Sequence, residues 1–83
     1  MKTIIFSKEA TRDFDALPMD TREQIDRALD GYALHGRGDV RSLSGRPGYR
    51  LRTGRYRIIF DEDAQTILAI YIGKRETTTY RRN

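Results

Sequence analysis

The stretch GYRLRTGRYRIIF, residues 48–60, places arginines at 50, 52, 55 and 57 with no acidic residue among them. A guanidinium is a planar fork of donors that stays ionised at physiological pH and matches the oxygens of a phosphate, and it can also stack on a base. The chemistry open to such a cluster is anion binding, above all stabilisation of phosphate charge. The charge is also concentrated. Residues 40–60 hold six arginines and no acid, residues 1–39 carry more acid than base, and residues 61–83 balance, so the net +4 arises in one central block. Such a block is the electrostatic footprint of a polyanion site, with nucleic acid ahead of acidic protein or anionic membrane. The plain alternative is a solvated basic face of a sheet.

Other candidate chemistry is sparse. The single histidine, His35, follows an apolar stripe at the end of a predicted helix and reads as a helix-end or loop residue. With no second histidine and no cysteine, a zinc site is not expected. The acidic run Asp61-Glu62-Asp63 falls in a predicted hairpin and reads as a solvated turn. The lack of cysteine removes disulfides and thiolate chemistry and fits a reducing compartment. No apolar run reaches transmembrane length, and Met1-Lys2 leads into a strand-like run rather than a signal peptide. A soluble cytoplasmic protein without membrane association is expected.

The elements that must position the arginines follow from periodicity. In 83 residues one domain, 1–83, is expected, with little room for an enclosed small-molecule pocket. Lys2 to Phe6 is short, apolar and β-branched, as in a strand. Ser7 can cap a helix to about Leu17, with Pro18 closing it. Asp20 and Glu23 make a capping-box pattern for a second helix. Ile25, Ala28, Leu29, Tyr32 and Ala33 then form one apolar stripe, and Gly36 and Gly38 end it.

Residues 36–48 are glycine-rich and predict a loop. Three strands follow, at about Tyr49 to Arg52, Arg55 to Asp61 and Thr66 to Ile72, with turns at Thr53-Gly54 and at residues 62–65. The predicted class is α+β in the order β-α-α-β-β-β, an antiparallel sheet with a two-helix hairpin packed on one face. Strand parity then gathers Arg50, Arg52, Arg55 and Arg57 on the uncovered face. Like charges across neighbouring strands repel, so sheet stability does not ask for this arrangement.

The separated motifs Leu43-Ser44-Gly45, Tyr49-Arg50-Leu51-Arg52, Tyr56-Arg57-Ile58-Ile59-Phe60 and Ile70-Tyr71-Ile72-Gly73-Lys74-Arg75, with a tyrosine at 80, agree in order and spacing with one pattern. It resembles the RelE family of the RelE/ParE toxin superfamily, directly over about half the chain. The resemblance implies a toxin of a type II toxin-antitoxin system, a metal-independent endoribonuclease that cuts messenger RNA, typically in the ribosomal A site. In that reaction the 2′-hydroxyl attacks the adjacent phosphorus, leaving a cyclic phosphate and a new 5′-hydroxyl. It needs a proton acceptor, cations on the developing phosphorane charge and a donor for the leaving oxygen.

Carried over by motif, Arg57 and Arg75 match the family's phosphate-stabilising arginines. Arg50 stands where relatives often have a lysine near the nucleophile, and Tyr80 corresponds to a C-terminal tyrosine that stacks on a base or assists proton transfer. Arg46, Arg52, Arg55 and Lys74 are candidates for RNA docking. Some relatives carry a further lysine where this chain has Gly48, and Arg46 could reach in from the loop instead. An arginine is a poor general base, so proton removal falls to Lys74, Tyr80, a water or the ribosome. The resemblance also implies a cognate RelB-like antitoxin, contact with messenger RNA and ribosome, operator DNA only through the antitoxin complex, and no cofactor. Two other functions stay open: a ParE-like poison of DNA gyrase, and a non-catalytic nucleic-acid-binding module.

Overall fold

The computed structural model describes residues 1–74. The element order is β1 (Thr3–Phe6), α1 (Lys8–Asp15), α2 (Met19–His35), β2 (Asp39–Ser42), β3 (Tyr49–Thr53), β4 (Tyr56–Glu62) and β5 (Thr66–Lys74). The strands form one sheet in the order β1-β5-β4-β3-β2. The α+β class and the helical hairpin are as the sequence predicts, with two additions. Residues 39–42, within the predicted loop, pair with β3 as a fifth strand. The sheet is mixed rather than wholly antiparallel, because the two helices carry the chain across one face and let β1 lie parallel to β5.

Local chemistry fixes most boundaries. Ser7 caps α1 by accepting from the Ala10 N–H at 3.1 Å, with Glu9 in the first turn where the helix dipole favours an anion. The expected capping box at Asp20 does not form. Pro18, at φ −60°, is the N-cap of α2, its carbonyl accepting from Arg22 N–H, while Asp20 accepts from its neighbour Thr21. Gly36 ends α2 in the left-handed region, its N–H donating to the Tyr32 carbonyl in the αL capping pattern, while the Arg37 N–H reaches back to the Gly31 carbonyl.

The predicted stripe of α2 supplies the core. Ile25, Leu29 and Ala33 are buried, with Ala28 and Tyr32 packed beside them, against Leu51, Ile58, Phe60, Ile67, Ala69 and Ile72 of the sheet. The Phe60 ring meets Tyr32 and Tyr49 with centroids 5.5 Å from each. At the edge of this core Glu62 accepts from Lys2 Nζ at 2.6 Å and from the Tyr32 hydroxyl at 2.7 Å, tying the N-terminus, α2 and β4 together.

Burial alone would raise the Glu62 carboxyl, but those two hydrogen bonds and the Lys2 charge hold it below the usual carboxylate range. Tyr32 is pushed up to about 12 by burial and by its bond to the Glu62 anion. Asp63 shapes the β4–β5 turn by accepting from the Gln65 and Thr66 N–H groups, each at 2.8 Å. The predicted solvated acidic run therefore has structural work in its last two members. Among the described residues, no helix is long and apolar enough to cross a membrane.

Candidate nucleic-acid interface

Alternation along β3 and β4 sends Leu51, Ile58 and Phe60 under the helices and their neighbours to the open face. Strand register then orders that face into two rows. One runs Arg41, Arg50, Ile59, Tyr71 across β2, β3, β4 and β5; the other runs Asp39, Arg52, Arg57, Gly73. Arg41 enters the first row because residues 39–42 form a strand. The loop reading of this segment had hidden it from the sequence.

The candidate residues separate by environment. Arg52 donates to Asp39 at 3.0 Å, so its charge is answered within the sheet, contrary to the expectation of unpartnered arginines throughout. Arg57 Nε and Arg50 Nη1 are buried from solvent and have no hydrogen-bond partner among the described residues. A buried, unpaired cationic donor is costly. These two guanidiniums line one cleft of about 400 Å³ together with Arg46 and Pro47 from the β2–β3 loop, Leu43, Ile59, Ile70 and Tyr71.

Arg46 thus joins Arg50 and Arg57, as the sequence allowed. Gly48, at φ +114°, is in a conformation that L side chains rarely adopt, and a β-carbon there would press on Leu43 Cδ1 at 3.1 Å. A side chain at position 48 would therefore be strained in this loop, while Arg46 of the same loop lines the cleft.

Three candidates are not brought into the cleft. The hairpin turn is the two-residue loop Gly54-Arg55, one position later than predicted, because Thr53 pairs directly with Tyr56 and Gly54 takes φ +56°. That moves Arg55 out of β4 and onto the exposed turn. Lys74 pairs with Tyr56 and so has the parity of the helix-covered side. Arg52 is the third, held at Asp39. Arg75 and Tyr80 lie outside the described residues.

Tyr71 is a cleft residue that the sequence motifs had not singled out as functional. Its position depends on a register change. Ile59 pairs with Tyr71 but Phe60 with Ala69, so Ile70 is an extra residue in β5, a bulge. Ile70 and Tyr71 both reach the cleft, whereas Ala69 and Ile72 are both buried on the other side. The hairpin of helices pins this bulge: the Ser7 hydroxyl donates to the Ile70 carbonyl at 3.0 Å, and the Ile72 N–H donates to Asp13 Oδ2 at 3.0 Å.

Neither a family model nor a curated protein matches the chain in sequence. Solved structures do match. The isolated RelE toxin of E. coli gives a TM-score of 0.79 at 23% identity, over 95% of this chain and 89% of that one. A chain of the intact E. coli RelBE toxin-antitoxin complex gives 0.72 at 25% identity, over 93% and 100%. The YoeB dimer of Staphylococcus aureus gives 0.70 at 23% identity, over 92% and 98%. From its first strand to its last, the chain belongs in fold with the RelE toxins.

Proposed function

We propose that the chain is the toxin of a type II toxin-antitoxin pair and acts as a metal-independent endoribonuclease on messenger RNA in the ribosomal A site. The observation that carries this reading is the pair of buried, unpaired guanidinium nitrogens, Arg57 Nε and Arg50 Nη1, on one cleft with Arg46. A phosphodiester entering the cleft supplies the acceptors those donors lack.

In the reaction the 2′-hydroxyl oxygen bonds to phosphorus, the bond to the 5′-oxygen breaks, and the products are a 2′,3′-cyclic phosphate and a 5′-hydroxyl. Arg57 and Arg50, with Arg75 by motif, hold the negative charge that grows on the non-bridging oxygens. Two proton transfers remain: the 2′-hydroxyl proton leaves and the 5′-oxygen gains one. Guanidiniums are too basic to accept the first, and Lys74 has the parity of the other face. The acceptor is therefore sought in Tyr80, water or the ribosome.

A RelB-like antitoxin is the expected partner, in keeping with the RelBE complex whose chain this one resembles. Exposed Ile5 and Leu68 share the open face with the arginines, a mixture that an acidic amphipathic segment would cover. Contact with operator DNA is assigned to the antitoxin complex.

The test is expression of the chain alone in a bacterial host with mapping of messenger RNA 5′ ends, beside an Arg57→Ala, Arg75→Ala double variant. New ends inside translated codons, present for the wild type and lost in the variant, are expected. Growth arrest with intact messages would replace this reading with the gyrase one, and neither arrest nor cleavage would leave a binding module.

A further inference from the structure

Tyr71 stands at 43% exposure on the open face, beside partly buried Ile59 and with Ile70 next to it on the cleft wall. Its ring folds over Gly73, so close that a β-carbon at position 73 would collide with the phenol hydroxyl and the adjoining ring carbons. Gly73 is the direct cross-strand partner of Arg57. The phenol therefore lies about one strand spacing, roughly 5 Å, from the Arg57 backbone. Three features converge on this ring: a bulge that turns Tyr71 outward, two side chains of the helical hairpin that pin the bulge, and a glycine that leaves the ring room.

We propose that Tyr71 is a substrate-contacting residue of this cleft, its ring being the platform on which one unpaired RNA base stacks while the neighbouring phosphate rests on Arg50 and Arg57. The inference depends on the RNA reading above and adds to it a residue and a mode of recognition. A nucleotide couples a flat, largely apolar base to an anionic group a few ångströms away, and the cleft sets an aromatic ring and aliphatic side chains beside guanidiniums at that spacing. Only an unstacked base can reach a ring on a sheet face, so the substrate is single-stranded at this point. Ser7 and Asp13 are positioning residues for the ring, acting through the Ile70 carbonyl and the Ile72 N–H.

The experiment uses the full chain, ribosomes programmed with a defined messenger RNA, and cleavage rates at rising protein concentration. Tyr71→Phe keeps the ring and is expected to stay within about threefold of wild type. Tyr71→Ala is expected to raise the half-saturating concentration about 5- to 100-fold, the loss of one base–aromatic stack, and to weaken the base preference at the stacked position. Gly73→Ala is the independent variant: its backbone is not in the left-handed region, and its one close conflict is with the Tyr71 ring, so it should follow Tyr71→Ala. If Tyr71→Ala and Gly73→Ala cut with wild-type affinity and base preference while Arg57→Ala does not cut, the stacking role is overturned and the nuclease reading stands. If the wild type itself does not cut, the nuclease reading falls and this inference with it.

Discussion

Arg52 and Arg57 face each other across β3 and β4, yet Arg52 has Asp39 and Arg57 Nε has no partner among the described residues. The difference gives opposite expectations for two chemically equal substitutions. Arg57→Ala should slow cleavage by about 10²- to 10³-fold, the usual cost of losing one preorganised charge-stabilising donor. Its stability to urea should be unchanged or slightly higher, because a like charge opposite Arg52 is removed and no bond among the described residues is lost. Arg52→Ala should change cleavage by less than about tenfold and stability by at most about 1 kcal/mol, since its ion pair is exposed. Rates and urea midpoints measured together on both variants check the pair of expectations. A destabilised Arg57→Ala would mean that this arginine holds the sheet rather than a substrate.

Two element-level features place the cleft: the β2–β3 loop that presents Arg46 and Pro47, and the bulge in β5 that presents Ile70 and Tyr71. The bulge leaves an Ile72 N–H that β4 does not take, and Asp13 on α1 accepts it at 3.0 Å. Asp13→Ala orphans that partly buried donor and should cost about 1–3 kcal/mol in urea unfolding. Asp13→Asn keeps an acceptor and should cost less. Ser7→Ala removes both the α1 cap and the bond to the Ile70 carbonyl, for about 0.5–2 kcal/mol. If these variants unfold as wild type does, the bulge is held by the sheet alone. The core beneath is less forgiving: Ile58→Ala, at a fully buried position, should cost about 2–5 kcal/mol.

For the molecule as a whole, the Lys2–Glu62–Tyr32 cluster makes stability depend on pH at both ends. The folded Glu62 carboxyl lies below its ordinary 4.5, so its contribution is complete above that value and is lost as the pH falls through the lower folded one. Tyr32 shifts the other way, from 10.0 to about 12, so its contribution is complete below pH 10 and disappears as the pH rises toward 12. Asp63, held low by two backbone N–H groups, adds to the acid limb in the same sense as Glu62. Glu62→Gln should therefore flatten the acid limb and let Tyr32 ionise nearer its ordinary range. Urea midpoints against pH, with ultraviolet titration of the tyrosines, read both effects. Unchanged profiles would show that the cluster does not couple these three segments.

Much of this was legible in the residues themselves. The 3.6-residue stripe on α2, the alternation of β3 and β4 and the run of unneutralised arginines determined the class, the helix-covered face and the placing of Arg50 and Arg57 together on the open face, because side-chain direction follows from local periodicity. Local periodicity does not carry pairing between distant segments. Asp39 meets Arg52 only because residues 39–42 join the sheet as an edge strand, a choice made by the partner strand rather than by the glycine-rich composition around it. Strict alternation would likewise have put Tyr71 on the side of Ile67 and Ala69. One extra residue in β5, pinned by Ser7 and Asp13 from far along the chain, turned it to the open face, because a register shift reverses every side chain beyond it.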